Sequence, residues 1–151
     1  MSSTLAAATQ VFLSLIAYSE GTGDRYDLTY NHHVFRDFDR HPNIVIRGSP
    51  YYSSAAGRYQ FIWHTFTEMQ KKCSGIPDFT PASQDNAAVC LLDSRKVNHT
   101  EFHTTKGALL IEIKKIANVW ASLPGSPYGQ PTHSMDKLWK FYNARRLQRG
   151  K

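Results

Sequence analysis

Apolar positions recur at helical spacing from the start of the chain: Leu5, Ala8, Phe12, Leu15 and Ile16 fall on one stripe. The spacing predicts a helix from about Thr4 to Glu20, stopped by Gly21. Between residues 22 and 57 that period is lost, and Gly, Asp, Asn, Tyr and His dominate. Short strand-like runs at His33–Phe38 and Asn43–Arg47 flank the turn-prone Arg40-His41-Pro42, which predicts a small irregular β-rich lobe. Helical pattern returns over Tyr59–Lys72. Another helix opens at Thr80-Pro81, with Thr as N-cap and Pro at the first position, and runs to about Leu92. A fourth is predicted over Lys106–Ser122, with Leu109, Ile113, Ile116 and Trp120 on its core face and Glu112, Lys114, Lys115 and Asn118 pointing elsewhere. Pro124 and Gly125 end it, and Ser134 caps a last helix to about Arg146. The expected fold class is α+β: a single domain over 1–151, mostly helical, with a β-rich insertion at about 22–57 and a groove between the two lobes.

Composition supports a globular chain. Its 151 residues, 41% of them hydrophobic and 13% aromatic, are expected to bury a core without metal or disulfide staples. No run approaches the ~20 apolar residues of a membrane span, so stable membrane insertion is not expected. The opening MSSTLAAATQVFLSL has no Lys or Arg before its apolar part, so it is expected to be a retained helix and not an export signal. The net charge of +6 favours an anionic partner. Six of the cations (Lys137, Lys140, Arg145, Arg146, Arg149 and Lys151) crowd the C-terminal end. No nucleic-acid motif accompanies them. Cys73 and Cys90 lie on neighbouring predicted helices; a bridge is open to them, but the expectation is two buried free thiols. No zinc-ligand spacing occurs, and neither metal nor cofactor is expected.

The candidate chemistry lies in LSLIAYSEGTG, residues 13–23. An apolar helix ends there on one carboxylate, Glu20, and glycine follows at once. A helix C-terminus carries partial negative charge, which disfavours a carboxylate anion by about 0.3–1 kcal/mol. Partial burial acts in the same direction. Both raise the pKa, favouring a group that stays protonated and can serve as a general acid near neutral pH. The other glutamates, Glu68, Glu101 and Glu112, sit in polar surroundings that suggest solvent.

Five fragments in order carry a resemblance: Ala17-Tyr-Ser-Glu-Gly-Thr22, Ala56-Gly-Arg-Tyr-Gln60, Asp78-Phe-Thr-Pro-Ala-Ser-Gln-Asp85, Trp120-Ala-Ser-Leu-Pro-Gly125 and Tyr128-Gly-Gln130. Together with Phe35-Arg-Asp-Phe-Asp-Arg-His-Pro42, they make the chain similar to the lambda-type phage endolysins over about residues 12–142. The resemblance implies a lysozyme-like fold and a lytic transglycosylase that cleaves the β-1,4 MurNAc–GlcNAc bond of peptidoglycan. It implies Glu20 as the catalytic acid and base, acting as a monomer without a cofactor. It also implies synthesis in the host cytoplasm and release to the periplasm through a holin. Gln60, in the family's Gly-x-x-Gln element, is implied at the cleavage site. Ser54 is a weaker candidate. Tyr59 has two open readings, stacking on a sugar or packing inside. Tyr128 and Gln130, between Pro127 and Pro131, would form the opposite lip. Trp120 is read as core.

Two alternatives stay open at this point: a hydrolytic muramidase, and a non-catalytic basic module that binds cell wall. Other common phage muramidases place Asp and Thr where this chain has Thr29 and Phe35, which weighs against their hydrolytic triad. Asp24, Asp27, Asp37 and Asp39 remain as possible second acids.

Overall fold

Helix α1 spans Ala7–Glu20 in the computed structural model, which describes residues 5–47, 52–129 and 132–149. Thr4, where the first helix was expected to begin, lies outside the described residues. Leu5 and Ala6 precede the helix, and the Gln10 amide donates back to the Leu5 carbonyl at 2.7 Å. A single-turn 3-10 element at Tyr30–His32 follows. Strand β1 (Ile46–Arg47) pairs antiparallel with β2 (Tyr52–Ser53), in register Ile46 with Ser53 and Arg47 with Tyr52. Helices α2 (Trp63–Lys72), α3 (Pro81–Ser94), α4 (Lys106–Lys114) and α5 (Met135–Arg149) complete the order. The chain forms two compact units, one from residues up to Ser19 together with those from Leu92 onward, the other Glu20–Leu91.

In the first unit α1 is buried nearly all round. Val11, Phe12, Leu13, Leu15, Ile16 and Ala17 are all inside, as a central helix requires. Thr9 is sealed within it and shares a hydrogen bond with His99 Nδ1 (2.8 Å), whose Nε2 meets Asp93 (2.7 Å). Helix α4 is capped by Thr105, whose side chain accepts from the Ala108 N–H, and it packs against α5. It stops at Lys114, earlier than the expected Ser122. Tight turns continue through 123, the Lys115, Ile116, Val119 and Leu123 amides each donating three residues back. Leu109, Ile113, Ile116 and Trp120 are buried as expected. Glu112 is a correction: it is only 6% exposed, accepting from the Asn98 N–H (2.7 Å) and from Lys115 Nζ (2.8 Å). Those two bonds hold its carboxyl below the ordinary range despite burial, the largest single influence, which acts the other way. Ser134 caps α5 by accepting from the Lys137 N–H.

The second unit has almost no sheet. The expected strand at His33–Phe38 is a single bridge, Leu28 to Val34, and of Asn43–Arg47 only the last two residues pair. Aromatic packing takes the sheet's place. Phe79 is the hub, with ring centroids 4.7 Å from Phe66, 4.9 Å from His41 and 5.7 Å from Phe35. Each such pair contributes about 0.5–1.5 kcal/mol beyond the area it buries. The His41 ring is held from both sides, Nε2 donating to the Phe61 carbonyl (2.6 Å) and Nδ1 accepting from the Asn43 N–H (2.9 Å). The expectation of free thiols is also corrected. Cys73, the C-cap of α2, forms a disulfide with Cys90 on α3 across a Cα–Cα distance of 6.3 Å. The 17-residue separation folds back far enough to bring the two positions within bridging range, which spacing alone did not reveal.

Candidate active site

Glu20 is the last residue of α1 and is half-buried. Gly21 follows at φ +78°, the left-handed conformation that ends a helix, and a Cβ there would meet the His32 ring at 3.4 Å. The turn after Glu20 is then pinned. Thr22 donates its hydroxyl to the Arg58 carbonyl (2.5 Å), and Arg58 Nε donates to the Gly23 carbonyl (2.9 Å). These two bonds tie the segment carrying Glu20 to the loop carrying Gln60.

That loop is itself strained and braced. Gly57 sits at φ +85° and Gln60 at φ +50°, a costly conformation for a residue with a side chain. The Gln60 amide holds it there by donating both its N–H groups, to Leu28 (3.0 Å) and Gly57 (2.8 Å) carbonyls. Two carbonyl acceptors fix which end of the amide is nitrogen. Below the loop lies Gln84, fully buried. Its Oε1 accepts from the Arg58 N–H (2.9 Å), and its Nε2 donates to the Tyr26 (3.1 Å) and Phe79 (2.8 Å) carbonyls. The loop also explains why α2 starts at Trp63 and not at Tyr59: residues 56–61 are used in a turn closed by the Ala56–Phe61 bridge.

A polar cluster completes the support. Asp85 accepts from Tyr59 (2.5 Å) and Tyr26 (3.0 Å), while Arg58 Nη1 donates to the same two phenol oxygens (3.0 and 3.3 Å). Burial, reinforced by the Asp85 charge, pushes the Tyr59 phenol well above its usual range, and the same causes raise Tyr26. Both stay protonated donors throughout ordinary pH.

The expected residues divide accordingly. Glu20, Ser54, Tyr59 and Gln60 all belong to the unit 20–91. Tyr59 is 0% exposed, so packing is its role, and the stacking reading is withdrawn because no ring face is open to a sugar. Ser54 accepts from the Trp63 N–H (3.1 Å) and so serves the first turn of α2. Tyr128 belongs to the first unit; its ring is 53% exposed and its hydroxyl donates to the Asn118 carbonyl. Gln130 lies outside the described residues. Thr22, Tyr26, Arg58, Gln84 and Asp85 carry most of the bonding here; all but Tyr26 lie in fragments that carry the resemblance, but none was singled out as a site residue.

The element order and the glutamate at a glycine-stopped helix end define a lysozyme-like α+β protein. The structure of bacteriophage lambda lysozyme complexed with a chitohexasaccharide superposes with a TM-score of 0.81 and 29% identity, covering 95% of this chain and 96% of that one. A second structure of lysozyme from bacteriophage lambda gives 0.77 over the same shares. Residues 10–147 match the endolysin family. The endolysin of Escherichia phage lambda is 33% identical over 138 residues (85% of each chain), and that of Escherichia phage P2 is 33% identical over 146 (84% of this chain, 86% of its own). The chain belongs to the endolysin family, and within it to the lambda type.

Proposed function

We propose that this protein is a peptidoglycan lytic transglycosylase in which Glu20 is the only protein acid or base in the reaction. As a lambda-type endolysin with a lysozyme-like fold, it degrades bacterial cell wall. The finer reading concerns how the glycosidic bond breaks. Protonated Glu20 gives its proton to the leaving O4 of GlcNAc as the C1–O4 bond breaks. The 2-acetamido oxygen of MurNAc meets the developing charge at C1. Ionised Glu20 then takes the proton of the C6 hydroxyl while O6 bonds to C1 and displaces the acetamido oxygen. The product is a 1,6-anhydro muramic end, no water is consumed, and Glu20 is again protonated.

The observation carrying this reading is the engagement of carboxylates in the same unit as Glu20. Asp27 is bidentate to Arg25 (2.8 and 2.9 Å), Asp24 pairs with Arg58 at 3.5 Å, Asp37 accepts from the Asp39 N–H (2.8 Å), and Asp85 takes two phenols. A two-carboxylate retaining hydrolysis needs a second acid about 5–5.5 Å from the first; of the possible second acids Asp24, Asp27, Asp37 and Asp39, the first three have carboxylates already engaged in these contacts. Chitohexasaccharide in the lambda lysozyme structure supports a β-1,4-linked amino-sugar strand as the ligand class. The proposal includes action as a monomer and release from the host cytoplasm by a holin. Among the described residues no helix is long and apolar enough to cross a membrane.

The test is digestion of purified sacculi followed by mass spectrometry. Anhydro ends, one water lighter than reducing ends, are expected; reducing muramic acid throughout would establish hydrolysis instead. Glu20→Gln is expected to fold normally and release no fragments.

A further inference from the structure

The cavity wall that the proposed chemistry leaves unused lies within the second unit. Asp24, Arg25, Tyr26, Asp27, Val34, Phe35, Arg36 and Phe38 line a cavity of about 600 Å³ that is broadly open to solvent, within the range of small-ligand sites, roughly 300–1,000 Å³. Four of its eight walls are charged, two of each sign. Arg25 and Asp27 neutralise each other through their bidentate pair and form a fixed surface. Arg36 is exposed and among the described residues has no ion-pair partner, although it lies near enough to contribute to the low pKa of Asp27, whose main cause is the bond from Arg25. The Asp24 side chain is 94% exposed. The open cavity thus offers Arg36, and Asp24, which is exposed but shares its charge with Arg58 at 3.5 Å, above an aromatic and aliphatic floor of Phe35, Phe38 and Val34.

Glycan rings meet such walls through neutral hydroxyls and amides and carry no ammonium group for Asp24. The peptide stems attached to peptidoglycan strands carry carboxylates and a free ammonium group on short aliphatic side chains. We infer that this cavity is a subsite for the peptide stem, with Arg36 receiving a stem carboxylate and Asp24 facing an ammonium. The inference rests on the peptidoglycan reading above. Position supports it: the Tyr26 wall donates to Asp85 in the cluster that braces the Glu20 turn, and Asp24 is four residues beyond Glu20.

Two measurements test it. A synthetic stem peptide is titrated into the labelled protein and followed by NMR at Val34, Phe35 and Arg36, which needs no catalysis. In parallel, KM and kcat are measured on stem-bearing glycan strands and on strands stripped of their stems by an amidase. Arg36→Ala is expected to raise KM about five- to tenfold on stem-bearing strands only, leaving kcat and the stripped-strand KM unchanged, as suits a partly screened charge-assisted contact. Arg36→Lys is expected to restore part of the difference. If the peptide leaves those resonances unmoved and Arg36→Ala shifts both KM values alike, the subsite is refuted while the cleavage reading stands. If the peptide titrates the cavity but neither strand is cut, the cleavage reading fails and the peptide site survives it.

Discussion

Replacing Gly57 by Ala probes the brace beneath the candidate site. A Cβ on Gly57 would lie 2.3 Å from Gln84 Oε1 and 2.9 Å from Phe79 Cζ, at a backbone φ of +85°. The left-handed conformation alone costs a residue with a Cβ about 1–2 kcal/mol. Gln84 is fully buried, so it cannot retreat into solvent, and its displaced oxygen would leave the Arg58 N–H without an acceptor. An unsatisfied buried donor adds about 1–3 kcal/mol. The sum, about 2–5 kcal/mol, is a large share of the ~5–15 kcal/mol that stabilises a typical protein. In urea unfolding, at an m-value of about 2 kcal/mol/M, the midpoint should fall by roughly 1–2.5 M.

Gly23 supplies the control. It has a comparable φ of +59°, but a Cβ there meets nothing within 4 Å. Gly23→Ala therefore carries the backbone cost without the Gln84 clash, and its midpoint should fall by only about 0.5–1 M, less than that of Gly57→Ala. Equal shifts in the two variants would show that the Gln84 contact contributes nothing and that the brace is misdescribed.

The disulfide and the buried histidine give two further expectations. Closing a loop of 17 residues between Cys73 and Cys90 stabilises the protein by about 3 kcal/mol in the chain-entropy account. Reductant should lower the wild-type unfolding midpoint by that equivalent and leave the Cys73→Ser, Cys90→Ser double variant unmoved; a wild-type midpoint indifferent to reductant would refute it. Burial lowers the His41 pKa, against the opposing effect of the Phe61 carbonyl, from an ordinary value near 6.5. The unfolded chain therefore binds a proton that the folded chain refuses, so stability from neutral His41 is full above about pH 6.5 and is lost as pH falls towards the folded pKa. His41→Gln should flatten the fall of unfolding free energy between pH 7 and 5, and identical slopes in both proteins would contradict this.

What could be read from the sequence follows from how local each signal is. The body of α1 was legible because its stripe and the following glycine lie within twenty residues, and α5 because Ser134 marks its start. Helix α4 was drawn too long because Ile116 and Trp120 stay buried in tight turns at spacings a helix would also use. The strands were overdrawn for another reason. Phe35 and Phe38 alternate less than they cluster, and Phe79, which packs on the Phe35 ring and donates its N–H to the Phe38 carbonyl, lies some forty positions away, beyond any local pattern. Glu112 was read as solvated because its burial depends on the Asn98 N–H, fourteen residues distant.

Glu20 stood out because it was locally anomalous; Thr22, Arg58, Gln84 and Asp85 fell within fragments of the resemblance, but no local chemistry assigned them a bracing role. Arg58 makes the point. Read as one more cation it belongs to the charge excess, yet its side chain is only 11% exposed. Its carbonyl receives Thr22, its Nε reaches Gly23, its amide meets Gln84, and its Nη1 spans two phenols. A planar fork with several fixed donors can serve Gly23 and both tyrosines at once, which a lysine ammonium on a flexible stem cannot. The residue is therefore spent on geometry and not on attracting an anionic wall. It sets the turn just after Glu20 relative to the Gln60 loop, so the position of the proposed acid depends on contacts 35 and 36 residues apart in sequence.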